Sequence, residues 1–226
     1  MKRNVIAKGI IFDMDGTLLD TEKLEIKLFL EVCQEIGQPA EENFLKTRLG
    51  YTLKENETAY KKEYGVHYPF NKIFELVNQK EADYAEKNGL PLMPGALKIL
   101  NKCKDQELVI AVATSSDLQR TKWKLSKAGI IDFFDVFACG NEVEKGKPEP
   151  DIFLLAAKRL NLPVEDIIGF EDSTAGLKGL YKAGIRSVFI KDLITPPDDV
   201  LKKVWYTCNS FEEALLELFG GNSRIC

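Results

Sequence analysis

The stretch GIIFDMDGTLLDTE, residues 9–22, sets two aspartates one residue apart behind an apolar run suited to a buried strand. Carboxylates at the end of such a strand are costly to desolvate without partners. Either Asp13 and Asp15 cap the next helix, or they are there for chemistry. Gly16 directly after them suits a tight turn that brings both carboxylates to one centre.

Outward from this stretch, short apolar runs alternate with helical patterns. The runs are 5–12, 108–114, 135–139, 166–170 and 187–190, with VWYTC at 204–208 as a short edge strand. Between them, 94–106, 117–129, 150–161 and 174–184 read as helices. Such alternation, with nearly continuous apolar strands, predicts an α/β fold with a parallel sheet covered by helices on both faces. One interval breaks the rhythm: roughly ninety residues separate the first strand from the second, far more than one crossover helix needs. Within it Leu24, Leu28, Phe29, Val32 and Ile36 recur at helix spacing and Gly37 is placed to end the helix. Segments near 41–48, 53–63 and 71–87 share that character. The expected organisation is a catalytic core of residues 1–19 and 93–219, a helical insertion of 20–92, and a flexible tail of 220–226.

The totals narrow the function classes. A chain of 226 residues with 45% apolar and 29% charged residues is that of a soluble globular protein with a substantial core. A net charge of −4 with both signs intermixed argues against nucleic acid or a membrane surface as the main partner. No apolar stretch approaches a membrane span. Lys8 and Asp13 interrupt the basic-then-apolar N-terminus, and no small-residue cleavage site comes after it. Five scattered cysteines without a CxxC pair fit reduced thiols in the cytoplasm. The single histidine, His67, lies in the loop-like YGVHYPF. Histidine-dependent triads and metal centres would all need this one residue, so the chemistry is expected to run on carboxylates, lysine and hydroxyls.

In parallel α/β sheets, ligands sit beyond the carboxyl ends of the strands. Those ends carry Asp13 and Asp15, then Thr114-Ser115-Ser116, then the loop EVEKGKPEPD with Lys147, then Glu171-Asp172-Ser173. Carboxylates without histidine suit a hard cation, Mg²⁺ above all. Hydroxyls, free backbone N–H groups and a lysine suit a phosphoryl group. An aspartate approaching a phosphate dianion at about 4 Å meets a repulsion of ~8 kcal/mol at an effective dielectric near 20. Mg²⁺ and one lysine supply charge on that scale. Asp13 is then the nucleophile, and Asp15 protonates the leaving oxygen and later takes a proton from water.

Each residue also has a plainer reading. Asp15 before Gly16 suits a turn, and Thr114 and Ser115 could cap the helix starting near Asp117. Lys147 could be a solvated charge like Lys145, and Asp172 and Ser173 could cap the helix after the fourth strand. Capping and ligand binding are compatible at a helix N-terminus. The convergence of all of them on one rim is what favours chemistry.

DMDGT, Thr114 after an apolar strand, Lys147 in GKPEPD and Glu171-Asp172 in GFEDSTAG resemble, in order and spacing, the four motifs of the haloacid dehalogenase-like hydrolases. The resemblance covers nearly the whole chain, and the insertion resembles the cap of the branch containing β-phosphoglucomutase and many small-molecule phosphatases. It implies a Rossmann-like sheet, Asp13 as nucleophile, and Asp15 as acid/base with its backbone carbonyl on Mg²⁺. It implies Thr114 and the Ser115 N–H on the phosphoryl group, with Lys147 bridging that group to Asp13. Asp172 becomes a metal ligand, and Glu171 either a ligand or a residue that orients one. The expected activity is a Mg²⁺-dependent phosphatase acting on a small phosphorylated metabolite, a sugar or polyol phosphate, as a cytoplasmic monomer or weak homodimer. A phosphomutase is the runner-up. The mutase's cap-helix histidine is replaced here by Glu25, and its hinge-loop arginine by Leu53, with Lys54 alongside. A dehalogenase, whose motif lacks the second aspartate, and a non-catalytic phosphate-binding module are more distant alternatives.

Overall fold

The computed structural model describes residues 7–219; the expected tail at 220–226 and the first part of the 5–12 run lie outside the described residues. Strand β1 (Gly9–Phe12) is followed by helices α1 (Glu22–Glu35), α2 (Glu42–Lys46), α3 (Leu53–Tyr64) and α4 (Phe70–Asn88). The alternation then resumes with α5 (Ala96–Asp105), β2 (Val109–Thr114), α6 (Leu118–Lys127), β3 (Val136–Cys139) and α7 (Asp151–Leu160). It closes with β4 (Ile167–Glu171), α8 (Thr174–Ala183), β5 (Arg186–Ile190), α9 (Asp198–Leu201), β6 (Tyr206–Cys208) and α10 (Phe211–Ala214).

The strands form one six-stranded sheet in the order β3-β2-β1-β4-β5-β6, every pair parallel. Alternate side chains on a strand leave opposite faces, and β1 shows the consequence. Ile10 and Phe12 join a core with Ile99, Leu100, Leu125 and Phe211 from α5, α6 and α10. Ile11 turns the other way, into a core with Phe153, Ala156 and Leu180 from α7 and α8. Both faces are therefore covered, which is why the strands read as unbroken apolar runs. The parallel sheet expected from the alternation is present.

Helices α1–α4 bury a cluster of their own around Phe29, Val32, Tyr60, Phe70 and Ile73. Thr52 starts α3 with a capping box, its backbone N–H donating to Glu55 Oε2 at 2.8 Å and its hydroxyl accepting from the Glu55 N–H. The chain enters and leaves this helical segment side by side. Asp20 N–H donates to Pro91 O at 3.0 Å and Met93 N–H to Leu18 O at 2.9 Å. Among the described residues, no helix is long and apolar enough to cross a membrane.

Phe211 is fully buried edge-on to Phe12 and tilted against Phe170, with ring centroids 6.0 and 5.7 Å apart. It belongs to the apolar core rather than to the rim, so Phe211→Ala is expected to lower unfolding free energy by about 3–5 kcal/mol. Urea denaturation monitored by circular dichroism reads this; a loss below about 1 kcal/mol would show that the ring is not part of the packed core.

Candidate active site

In the order β3-β2-β1-β4-β5-β6, the crossovers run in opposite directions on either side of the β1/β4 pair, and a crevice opens beyond their carboxyl ends. Phe12 and Phe170 are partners in that pair, so the residues after them, Asp13 and Glu171-Asp172, emerge side by side. Asp13 N–H donates to Phe170 O at 3.0 Å, which fixes the first carboxylate against the fourth strand.

Lys147 reaches this point from the loop before α7. Its buried ammonium donates to Asp13 Oδ1 at 2.5 Å and to Glu171 Oε1 at 2.7 Å. Glu171 Oε2 accepts from the Ser173 N–H at 2.7 Å and its hydroxyl at 2.9 Å, so both oxygens of Glu171 have donors. Asp172 Oδ1 accepts from the Thr17 hydroxyl at 2.6 Å. Oxygens of Asp13, Glu171 and Asp172 lie within 4.8 Å of one another. This all-oxygen donor set suits a hard cation such as Mg²⁺. The crowding of negative charge shows in the ionisation. Burial, assisted by Glu171 and opposed by Lys147, raises Asp13 from 3.8 to about 7. Burial and then the neighbouring Glu171 and Asp13 push Asp172 well above the usual carboxylate range. In Lys147, burial is outweighed by Asp13 and Glu171, and the ammonium is held more firmly protonated than a free lysine.

The plainer readings resolve residue by residue. Lys147 is buried and Lys145 exposed, so the solvated lysine of the pair is Lys145. The helix after β2 is capped by Asp117, whose carboxylate accepts from the Arg120 N–H at 2.8 Å; Thr114 and Ser115 do not cap it. Ser173 caps α8, its hydroxyl accepting from the Gly176 N–H at 3.0 Å, which leaves Asp172 free to face the rim. Gly16 has φ +81°, and a side chain there would meet Asp172 Oδ2 at 2.4 Å. Only glycine fits that turn. Asp15, one residue earlier, sends its carboxylate away from the Asp13–Asp172 cluster, to Thr21 Oγ1 and Lys124 Nζ, both at 2.6 Å.

Thr114, Ser115, Asp13 and Asp15 line a cleft of about 1150 Å³ that the helical segment covers with residues such as Ile26, Phe29, Leu49 and Tyr51. The Ser115 hydroxyl donates to Gly50 O at 2.8 Å, tying the loop before α3 to the rim. At Gly50, φ is +80° and an added Cβ would meet Ser173 Oγ at 2.6 Å, so the loop sits as close as backbone allows.

Several residues at the site carry no signal in the sequence alone. Thr17, which holds Asp172, is part of the DGT run but has no separate marker there. Glu22 and Asp192 bring carboxylate oxygens within 4.8 Å of Asp172, yet one starts α1 and the other comes after β5. Lys124 reads as one more lysine on an amphipathic helix. Its burial beneath Asp15 is visible only in three dimensions.

A sequence model described as haloacid dehalogenase-like hydrolase matches residues 10–190. The phosphorylated carbohydrates phosphatase of Thermotoga maritima is 30% identical over 80% of this chain and 84% of that one. Protein CbbY of Rhodobacter capsulatus is 32% identical over 88% of this chain and 91% of that protein. Among solved structures, CbbY from Rhodobacter sphaeroides in complex with phosphate superposes with a TM-score of 0.80 at 26% identity, covering 95% of this chain and 98% of that one. The chain belongs to the haloacid dehalogenase-like hydrolases.

The buried carboxylates make stability depend on pH. Asp13 binds its proton more tightly in the folded state, so its contribution is complete below about 3.8 and is lost as pH rises through about 7. Asp172 and Glu22, both raised by burial and neighbouring carboxylates, act in the same direction. Asp15 acts oppositely: Lys124 outweighs its burial and holds it low, so its contribution is lost on acidification. The metal-free protein is expected to melt at a lower temperature near pH 8 than near pH 6. Millimolar Mg²⁺ should raise the melting temperature more at the higher pH. Differential scanning fluorimetry with and without EDTA measures both; equal metal-free melting temperatures would contradict the assigned burial of charge.

Proposed function

We propose that the chain is a Mg²⁺-dependent phosphatase that hydrolyses a small phosphate monoester, of a sugar or polyol, through an aspartyl-phosphate on Asp13. The observation that carries this reading is the buried clasp of Lys147 on Asp13 and Glu171, beside Asp172, with Asp13 itself lining a cleft of small-molecule size. The relatives, a carbohydrate-phosphate phosphatase among them, support it.

Asp13 and Asp172, with the backbone carbonyl of Asp15, are the groups to hold Mg²⁺, which when bound neutralises phosphoryl oxygens. Glu171, with both oxygens already engaged, serves to fix Lys147. The ionised Asp13 attacks phosphorus, the ester P–O bond breaks, and Asp15 gives its proton to the departing oxygen. Thr114, the Ser115 N–H and Lys147 hold the phosphoryl oxygens through the transfer. Water then attacks the aspartyl-phosphate and yields its proton to Asp15, and the bond from phosphorus to Asp13 breaks to release inorganic phosphate. Residues 20–92 act as a cap that excludes bulk water, and the reaction belongs to a cytoplasmic monomer or weak homodimer. The phosphatase is favoured over a mutase because Glu25, at the mutase's histidine position, is engaged by Lys124. Leu53, at the arginine position, is an exposed apolar side chain.

Purified protein should release phosphate from p-nitrophenyl phosphate with Mg²⁺ and lose this activity in EDTA. Asp13→Asn should reduce kcat by at least about 10³ and abolish phosphoenzyme while leaving the circular dichroism spectrum unchanged. Near wild-type turnover by that variant would refute the nucleophile, and metal-independent release of halide from a haloacid would select a dehalogenase. Conversion of β-glucose 1-phosphate to an isomer, primed by a bisphosphate, would select the mutase.

A further inference from the structure

Lys124 is a fully buried cation outside the Lys147 cluster, and the proposed chemistry assigns it no role. It projects from α6 into a knot of charges supplied by three parts of the chain. Its ammonium donates to Asp15 Oδ1 at 2.6 Å and to Glu25 Oε1, and lies 3.2 Å from Glu81 Oε1. Asp15 belongs to the turn after β1, Glu25 to α1 and Glu81 to α4. Arg120, one turn earlier on α6, donates to Glu81 Oε2 at 2.5 Å and to Asn78 Oδ1 at 2.6 Å, and pairs with Glu25 at 3.4 Å.

Two core cations thus face three carboxylates, two of them on the helical insertion. An ion cluster this deeply buried is weak evidence of a stabilising role, because well-packed apolar side chains often do as well. What it does supply is orientation. Asp15 is gripped at Oδ1 by both Lys124 and the Thr21 hydroxyl, so its second oxygen is the one left for proton transfer. Lys124 is itself placed by Glu25 and Glu81, which lie near Asp15 only while α1 and α4 rest on the core. Burial disfavours the charged lysine, but Asp15 and Glu25 more than offset it, so the donor is always present.

We propose that Lys124 is a positioning residue for Asp15: clamped between Glu25 and Glu81, it fixes the Asp15 carboxylate when the helical insertion is docked, and so ties proton transfer to closure of the cleft. The inference rests on the phosphatase reading for its kinetic consequence but not for its geometry.

The test compares wild type, Glu81→Gln, and the charge-balanced double variant Lys124→Met/Glu81→Gln. Phenyl phosphate and p-nitrophenyl phosphate are near-identical in shape, but the phenolate leaves far less readily and depends more on an acid. The double variant, against Glu81→Gln, is expected to lose at least about tenfold more kcat on phenyl phosphate than on p-nitrophenyl phosphate, with KM changed less than threefold. Equal losses on the two esters, or none, would overturn the proposal. A crystal structure of the double variant gives a readout independent of turnover: the Asp15 carboxylate is expected to leave its wild-type position, and an unmoved carboxylate overturns the proposal. Should the double variant fail to fold, Lys124→Arg, which keeps the charge but shifts the donor, is read by the same two measurements. If wild type hydrolyses neither ester, the phosphatase reading fails, and the displacement of Asp15 still decides the positioning role.

Discussion

One ammonium group organises the site. Lys147 lies between Asp13, beyond the end of β1, and Glu171, at the end of β4, at 2.5 and 2.7 Å with no exposure to solvent. Without it the neighbouring carboxylates would repel at a separation where water cannot screen them. With it, Asp13, Glu171 and Asp172 stay close enough to form one oxygen-rich donor set. The β1/β4 pairing supplies the other half of the constraint, because its register brings the two strand ends level.

That constraint sets the division of labour around the rim. Thr17 orients Asp172, and Ser173 orients Glu171 while capping α8. Capping and site construction are here one act: a hydroxyl that satisfies a helix N-terminus also holds a carboxylate in place. Asp15 belongs to a different electrostatic neighbourhood. It faces Lys124 and Thr21, and two aspartates separated by a single residue are pushed to opposite sides of the usual carboxylate range. In the metal-free protein this order is the reverse of what an ionised nucleophile and a protonated acid need; a divalent cation beside Asp13 would supply the positive charge that favours its ionised form.

The helical segment contributes more than a cover. Its contacts with the core include the Ser115 hydroxyl on Gly50, the charges of Glu25 and Glu81 on α6, and Arg120 over the Phe74 ring. Its buried apolar cluster is made by residues of α1–α4 and their loops, with Leu193 of the core packed against it. A module that buries most of its hydrophobic residues within itself can shift as a unit at a smaller hydrophobic cost than an element of the core.

Much of this was legible in the residues. The apolar runs predicted the strands because a two-sided parallel sheet leaves no polar alternation to blur them, and the acidic, hydroxyl and lysine positions fell at strand ends, where local sequence is most telling. Lys147 was legible through the KPEP run that holds it; Lys124, on an ordinary amphipathic helix, was not, nor were Glu22, Glu81 and Asp192. Their importance lies in partners up to more than a hundred residues away, and nothing local marks a lysine as buried beneath a carboxylate. The sequence by itself determined the strand–helix order and which carboxylates, hydroxyls and lysine fall at the strand ends. Only tertiary structure decided which carboxylate each cation serves, because ion pairs in a buried site are set by the packing of distant elements, not by spacing along the chain.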